Sequence, residues 1–383
     1  QVEFDVAGEG PAAHGYDLLS DSVSTALPSP HVSMYYRRGI IGKIWPWHLQ
    51  HHMAPTWLCF DTWEANMEIV VLGAGALGSI ITGHLARAGE SVSLIARGDR
   101  ARFLQQNGVT VTGLNNFNAS CPVITDAKAL SGGDVLILAV KSHDVDAALS
   151  SVADMTFSSV LSVQNGVYGN EQLAKVFGSQ ATLGATASFS GELSPQGEVR
   201  FTVNGGFFMG ELPSGISPRV ENLATALANS GINAEAVPNI QSLQWSKFVL
   251  WVAYTSISVL TRLPTYKFLS DQDTALLCAR IMREVATVAK HREIALEDVG
   301  FPVISVVNDT EEAAVAVLNK LSNDLEENSP HHRMSTLQDL ENGKRLEIDA
   351  TLGYAVDVAR MCGLPMPTLD VCYTLIKGIN RLL

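Results

Sequence analysis

Three glycines in the run Gly73-Ala74-Gly75-Ala76-Leu77-Gly78 could let a main chain pass within contact distance of a phosphate. A G-x-G-x-x-G run is weak evidence on its own. Here it follows an apolar stretch of strand length, residues 68–72, and opens a stretch with Ile81, Leu85 and Ala88 on one helical face. In that context it is informative. Gly73 permits the tight turn, Gly75 admits a pyrophosphate, and Gly78 lets the helix pack close to the strand. The helix N-terminus adds free N–H groups and a partial positive charge. The implied chemistry is dinucleotide binding, and the alternative is a glycine-rich turn with no ligand.

The next candidates follow from where the strands end. An NAD enzyme places an acid about 20 residues beyond the glycines to hold the ribose hydroxyls. Arg97 occupies that place, with Arg100 three residues on. A guanidinium suits the 2′-phosphate of NADP through bidentate hydrogen bonds, so NADP is expected rather than NAD. Asp99 pulls the other way, since a carboxylate facing inward repels that phosphate, and Arg97 can also be read as a solvated surface arginine. Lys141 ends the apolar run 134–140, and Asn165 follows the run 159–163. Ligands of open α/β sheets bind at the carboxyl ends of strands, which is where these two polar residues stand. Both residue types are also ordinary in turns.

The elements that must carry these residues are readable. Strand, glycine turn, helix and second strand (91–95) fit within the length of one βαβ unit. Continuous apolar runs at 134–140 and 159–163 suit a parallel sheet covered on both faces. Residues 199–203 and 207–211 flank Asn204-Gly205-Gly206, a hairpin signal that predicts an antiparallel extension of the sheet. A helix over 218–229 and a short strand near 234–237 close this part. Beyond Pro238 the period is helical, with helices predicted over 240–262, 271–292, 301–328, 334–362 and 367–380. Gly363 and Pro365 separate the last two. The expected fold class is α/β: a Rossmann-type dinucleotide-binding domain (67–237) followed by an all-α domain (238–383). Residues 1–66 hold four of the six tryptophans and five of the ten histidines but no sustained period. They are expected to lie outside the fold, as an unstructured or non-native extension. His48, His51 and His52 could bind a metal, but no carboxylate or cysteine stands at ligand spacing, so no metal is expected.

Composition bounds the function. The chain has 383 residues, 46% hydrophobic and 17% charged, with a formal net charge of −13. That balance, with no basic run, argues against nucleic-acid and anionic-membrane partners. Five scattered cysteines with no CxxC pair fit a reducing compartment, and the expected location is the cytoplasm. The longest apolar stretch, 248–260, is too short to span a bilayer and reads as a buried helix.

Taken together, several blocks resemble the ketopantoate reductase (2-dehydropantoate 2-reductase) family over about residues 67–383. They are the opening run 67–78, Val140-Lys141, Gln164-Asn165-Gly166, Gln244-Trp245-Ser246-Lys247-Phe248, Ser335-Thr336-Leu337-Gln338-Asp339, Leu346-Glu347-Ile348-Asp349 and Gly363-Leu364-Pro365-Met366-Pro367. The resemblance implies NADPH-dependent reduction of a 2-oxo acid, with 2-dehydropantoate converted to pantoate in pantothenate and coenzyme A biosynthesis. It implies Lys247 as the catalytic acid, Glu347 as the residue that holds that lysine or the substrate, Ser335 as a contact of the substrate carboxylate, and Lys141 and Asn165 at cofactor or substrate. From the residues alone, Lys247 and Glu347 read as solvated side chains and Ser335 as a helix N-cap.

One departure bears on the substrate. Where the family often carries two asparagines, one and two helical turns after the lysine, this chain has Trp251 and Thr255. Both share a helix face with Lys247 and are expected in the substrate pocket, although Trp251 can equally be core. Alternative readings are therefore a reductase of a less polar 2-oxo acid, or an NADPH-binding sensor without turnover. A homodimer is possible.

Overall fold

The computed structural model describes residues 67–383, so the expectations for 1–66, including His48, His51 and His52, lie outside the described residues. In chain order the α/β part comprises β1 (Ile69–Leu72), α1 (Ala76–Ala88), β2 (Val92–Ile95), α2 (Gly98–Asn107), β3 (Val109–Gly113), β4 (Phe117–Ala119), β5 (Val123–Ile124), β6 (Gly132–Leu138), α3 (Val145–Ser150), β7 (Thr156–Ser162), α4 (Tyr168–Phe177), β8 (Leu183–Leu193), β9 (Val199–Glu211), α5 (Pro218–Asn229) and β10 (Ala234–Ala236). The helical part comprises α6 (Ile240–Thr261), α7 (Thr265–Ser270), α8 (Gln272–His291), α9 (Val303–Asn308), α10 (Glu311–Asn328), α11 (Ser335–Glu341), α12 (Tyr354–Met361) and α13 (Pro367–Asn380). Both parts belong to one compact unit.

All four residues of β1 are apolar and buried because strands pair on both edges and helices cover both faces. The first sheet has the order β5-β2-β1-β6-β7, with every pair parallel. Leu72 is opposite Ile95 on one side and Leu138 on the other, and Leu138 is opposite Ser162. This register brings the residues that follow each strand, Gly73, Arg97, Lys141 and Asn165, to one end of the sheet. The chain leaves β1 towards β2 and returns on its other side to β6, so the loops after β1 and β6 flank the topological switch point. That is the crevice where α/β sheets bind ligands.

The predicted hairpin at Asn204-Gly205-Gly206 is corrected by the structure. These residues lie inside the continuous strand β9, and the turn joining β8 to β9 is Ser194–Glu198. The β8–β9 register shifts between Ala187 and Phe189, where the stretch Asn204–Phe207 carries one extra residue, and Gly206 takes φ +135°. The glycines therefore serve a β-bulge rather than a turn. The antiparallel pair also forms a second sheet with β10, β3 and β4 instead of extending the first.

Helix α6 is buried along most of its 22 residues and packs against α8, α11 and α13. Its Phe248, Val252 and Ile257 join the core of the helical part, where each fully buried side chain contributes about 1.5–3 kcal/mol. Two predicted helices are broken. The 301–328 segment divides at Asp309, and Thr310 restarts it as an N-cap accepting from the Ala313 N–H. The 334–362 segment stops at Asn342-Gly343, where Gly343 takes φ +62°, and resumes through a π-helical turn at Asp349–Gly353. The intervening loop carries Glu347. No helix among the described residues is long and apolar enough to cross a membrane.

Candidate active site

The glycine loop has the geometry that a pyrophosphate requires. Gly73 takes φ +118°, and a Cβ there would stand 2.7–2.8 Å from Val140 and Ala139, so the loops after β1 and β6 touch. A Cβ on Gly78 would stand 2.0 Å from the Gly73 carbonyl oxygen, which only glycine avoids. Gly75 differs: a Cβ there would meet nothing closer than the Ala139 carbonyl oxygen, at 3.7 Å, so the space above it is open. The first turn of α1 carries no acidic side chain and no side-chain cap. The N–H groups of Ala76, Leu77 and Gly78 thus begin a helix without intrahelical acceptors. This cradle fits a dinucleotide pyrophosphate.

Arg97 is the exposed N-cap residue of α2. It lines a cavity of about 440 Å³ bounded by Thr125–Lys128 and Ser150–Met155, beyond the end of β2. Asp99, whose charge threatened a bound phosphate, is ion-paired with Arg102. Arg100 faces elsewhere. It donates to the Ala74 carbonyl at 3.1 Å, the Ser79 hydroxyl at 2.9 Å and the Gly197 carbonyl. It is not free to follow Arg97 to a 2′-phosphate.

Three charged groups join the sheet end to the helical part. Lys141 Nζ donates to Glu347 Oε2 at 2.6 Å and to Asp339 Oδ2 at 2.9 Å. Glu347 Oε1 also accepts the Ser142 N–H at 2.7 Å. Burial opposes charge on Lys141, but Glu347 and Asp339 together outweigh it and hold the ammonium above its ordinary value. The expected pairing of Glu347 with Lys247 is corrected: Glu347 takes Lys141. The loop after α11 sets it against the residues following β6, where the Lys141 ammonium and the Ser142 N–H are the nearest donors.

Lys247 sits on the face of α6 that lies along β8. Ile240 packs on Gly184, Gln244 Nε2 donates to the Ala185 carbonyl at 2.7 Å, and Lys247 Nζ donates to the Ala187 carbonyl. Lys247 forms no ion pair among the described residues, and burial lowers its pKa to about 8. The next residue, Phe248, approaches Gly166, which takes φ +92° in the turn after β7. Asn165 is exposed in that turn. Gln164 braces it by donating to the Val140 carbonyl at 2.8 Å, which links the two strand-end loops.

Ser335 is exposed and is the first residue of α11, while Met334 is the N-cap, so the reading of Ser335 as a cap is corrected. Four residues before Asp339, it shares the helix face that meets Lys141. Trp251 and Thr255 also depart from expectation. Trp251 is 6% exposed within the core of the helical part, and Thr255 is fully buried with no partner for its hydroxyl among the described residues. Spacing put them on the Lys247 face correctly, but neighbouring helices bury that face within one turn. Asp339, Gln164 and Arg100 were not singled out for the roles they take here. The contacts of Asp339 and Gln164 span 198 and 24 residues, and no periodic pattern signals them.

The family described as ketopantoate reductase PanE/ApbA matches residues 69–214, and its C-terminal counterpart matches 239–380. The 2-dehydropantoate 2-reductase of Pyrococcus horikoshii is 27% identical over 317 residues, 82% of this chain and 98% of the relative. A crystal structure of a PanE/ApbA family ketopantoate reductase from Ralstonia eutropha JMP134 is 27% identical with a TM-score of 0.70, covering 82% of this chain and 99% of that one. D-mandelate dehydrogenase, solved with NADH and anilino(oxo)acetate, shares the fold at 20% identity and a TM-score of 0.70, over 82% of this chain and 99% of its own.

Proposed function

The chain belongs to the ketopantoate reductase family, and we propose from that premise that Lys247 delivers the proton when 2-dehydropantoate is reduced to pantoate. The chain is an oxidoreductase with NADPH as its cofactor, and the reaction belongs to pantothenate biosynthesis. When bound, the cofactor supplies a hydride to the carbonyl carbon. Gly73, Gly75, Gly78 and the first turn of α1 hold its pyrophosphate, and Arg97 holds the 2′-phosphate. Negative charge that develops on the substrate oxygen is met by the Lys247 ammonium, which gives up its proton and becomes an amine. Asn165 presents its amide at the same strand end, and Ser335 lies on the face that meets the substrate carboxylate.

The observation that carries this reading is the contrast between the two lysines. Lys141, held by two carboxylates, stays charged and serves as a fixed link between the sheet end and the helical part. Lys247 has no carboxylate partner among the described residues and a pKa lowered to about 8, close to where a proton donor works best. Glu347 then acts through Lys141 and Ser142, as a positioning residue. The acid must be protonated for reduction. The rate of 2-oxo acid reduction is therefore expected to be level below about pH 8 and to fall above it. Oxidation of the 2-hydroxy acid, which needs the neutral amine, rises through the same range. A pH profile of kcat/KM in both directions checks this, and a reduction rate that climbs above pH 8 contradicts it.

Substrate identity is tested by offering 2-dehydropantoate beside unbranched and aromatic 2-oxo acids. Preference for 2-dehydropantoate supports the proposal. Preference for an aromatic acid supports the second reading, a less polar substrate; with Trp251 and Thr255 buried in the core, that reading rests on the substrate panel. The proposed cytoplasmic location draws on the free thiols of Cys121, Cys278, Cys362 and Cys372. The proposed homodimer draws on the exposed apolar side chains of Val371 and Leu375 on α13.

A further inference from the structure

We infer that Arg100 is a positioning residue for the cofactor pyrophosphate, aiming the Gly75 N–H at it and placing an unpaired positive charge behind the glycine loop. This deepens the cofactor reading above and rests on it. Arg100 Nε and the Ser79 hydroxyl both donate to the Ala74 carbonyl, at 3.1 and 3.2 Å. The Ala74–Gly75 peptide is planar and trans, so its C=O and N–H point in opposite directions. Holding the carbonyl towards Arg100 turns the Gly75 N–H away from it. That N–H donates to no group among the described residues, and the space over Gly75 is the open side of the cradle.

Charge supports the same assignment. Arg100 is half-buried and forms no ion pair among the described residues. Its acceptors are two carbonyls and one hydroxyl, all neutral. A guanidinium in this setting keeps its full charge beside the loop, screened less than an exposed one. The β8–β9 turn completes the arrangement. Gly197, at φ +87°, brings its carbonyl to Arg100, and a Cβ there would stand 2.6 Å from the Phe103 ring. The guanidinium lies 5.5 Å from the centre of that ring. A turn from the second sheet thus locks the arginine that orients the phosphate loop of the first.

The role separates from that of Arg97 by ligand. Arg100→Met keeps the aliphatic stem and removes the charge and the fork. Titration calorimetry on the full chain is expected to give about a tenfold or greater loss of affinity for NADPH, NADH and ADP-ribose alike. The affinity for 2′-AMP, which lacks the pyrophosphate, is expected to hold. Arg97→Ala gives the opposite pattern, losing NADPH and 2′-AMP while sparing NADH. In turnover, Arg100→Met raises the KM for NADPH and leaves kcat, a split that a merely structural defect does not produce. Arg100→Lys restores the charge and part of the affinity. If Arg100→Met fails to fold, Ser79→Ala, which removes one of the two donors to Ala74, is expected to weaken ADP-ribose severalfold. Unchanged ADP-ribose affinity in the folded variants, or a loss confined to NADPH, overturns the inference alone. Failure of the unaltered chain to bind NADPH overturns the cofactor reading and the inference with it.

Discussion

Lys247→Ala is expected to lower kcat for 2-oxo acid reduction by at least about a hundredfold, the scale of general acid catalysis, while NADPH affinity stays near that of the unaltered chain. The two outcomes separate because Lys247 and the glycine loop lie on different elements. Lys247 reaches the site from α6 along β8, and its recorded hydrogen bond is to the Ala187 carbonyl. The substitution removes the proposed proton donor and its positive charge, without touching the cradle at α1. It also leaves no carboxylate stranded, since the ammonium has no anionic partner among the described residues. Folded stability is therefore expected to hold, in contrast to substitution of Lys141, which would leave Glu347 and Asp339 facing each other uncompensated. Single-turnover measurement at saturating NADPH checks the claim, and an unchanged rate removes Lys247 from the chemistry.

Gly75→Ala and Gly78→Ala are expected to abolish cofactor binding by different routes. At Gly78 the added methyl group has only 2.0 Å to the Gly73 carbonyl oxygen, so the helix must withdraw from the loop. Stability and NADPH affinity fall together, by about 1–3 kcal/mol in stability. At Gly75 the methyl group meets protein only at 3.7 Å, and the backbone φ of −69° suits alanine. Stability holds or rises slightly, while NADPH affinity falls at least about a hundredfold because the methyl group occupies the space the pyrophosphate takes. Thermal unfolding without cofactor, paired with NADPH titration, separates the two. Wild-type NADPH affinity in Gly75→Ala would mean that the cradle is not the phosphate site.

What could be read from the sequence and what could not divide along one physical line. Local features were legible: the short apolar run 68–72 bounded by glycine is a buried strand, the glycines between it and a helical period form the turn, and Gly89 at φ +85° ends α1 where the pattern stops. The ends of strands are predictable from strands, so Gly73, Arg97, Lys141 and Asn165 were found together. Contacts between distant segments were not legible. Nothing in residues 141 and 347 says that they pair, and the resemblance implies Glu347 at Lys247 or the substrate instead. Asn204-Gly205-Gly206 has the composition of a hairpin turn, but a bulge needs the same backbone freedom, and the strand's pairing decided between them. The Lys247 face of α6 was placed by its period, whereas the burial of Trp251 and Thr255 depends on α8, α11 and α13. Asn342-Gly343 breaks the predicted 334–362 helix and frees the loop of Glu347, because Gly343 takes the left-handed conformation that the helical period does not signal.

If the family reaction holds here, this chain transfers hydride from NADPH to a 2-oxo acid, with 2-dehydropantoate as the proposed substrate. The direct measurement is to mix the full chain with NADPH and 2-dehydropantoate and to follow both cofactor oxidation and pantoate formation. One pantoate is expected for each NADPH consumed, with NADH much less effective. A chain that binds NADPH tightly yet forms no pantoate, and reduces no other 2-oxo acid, would contradict it.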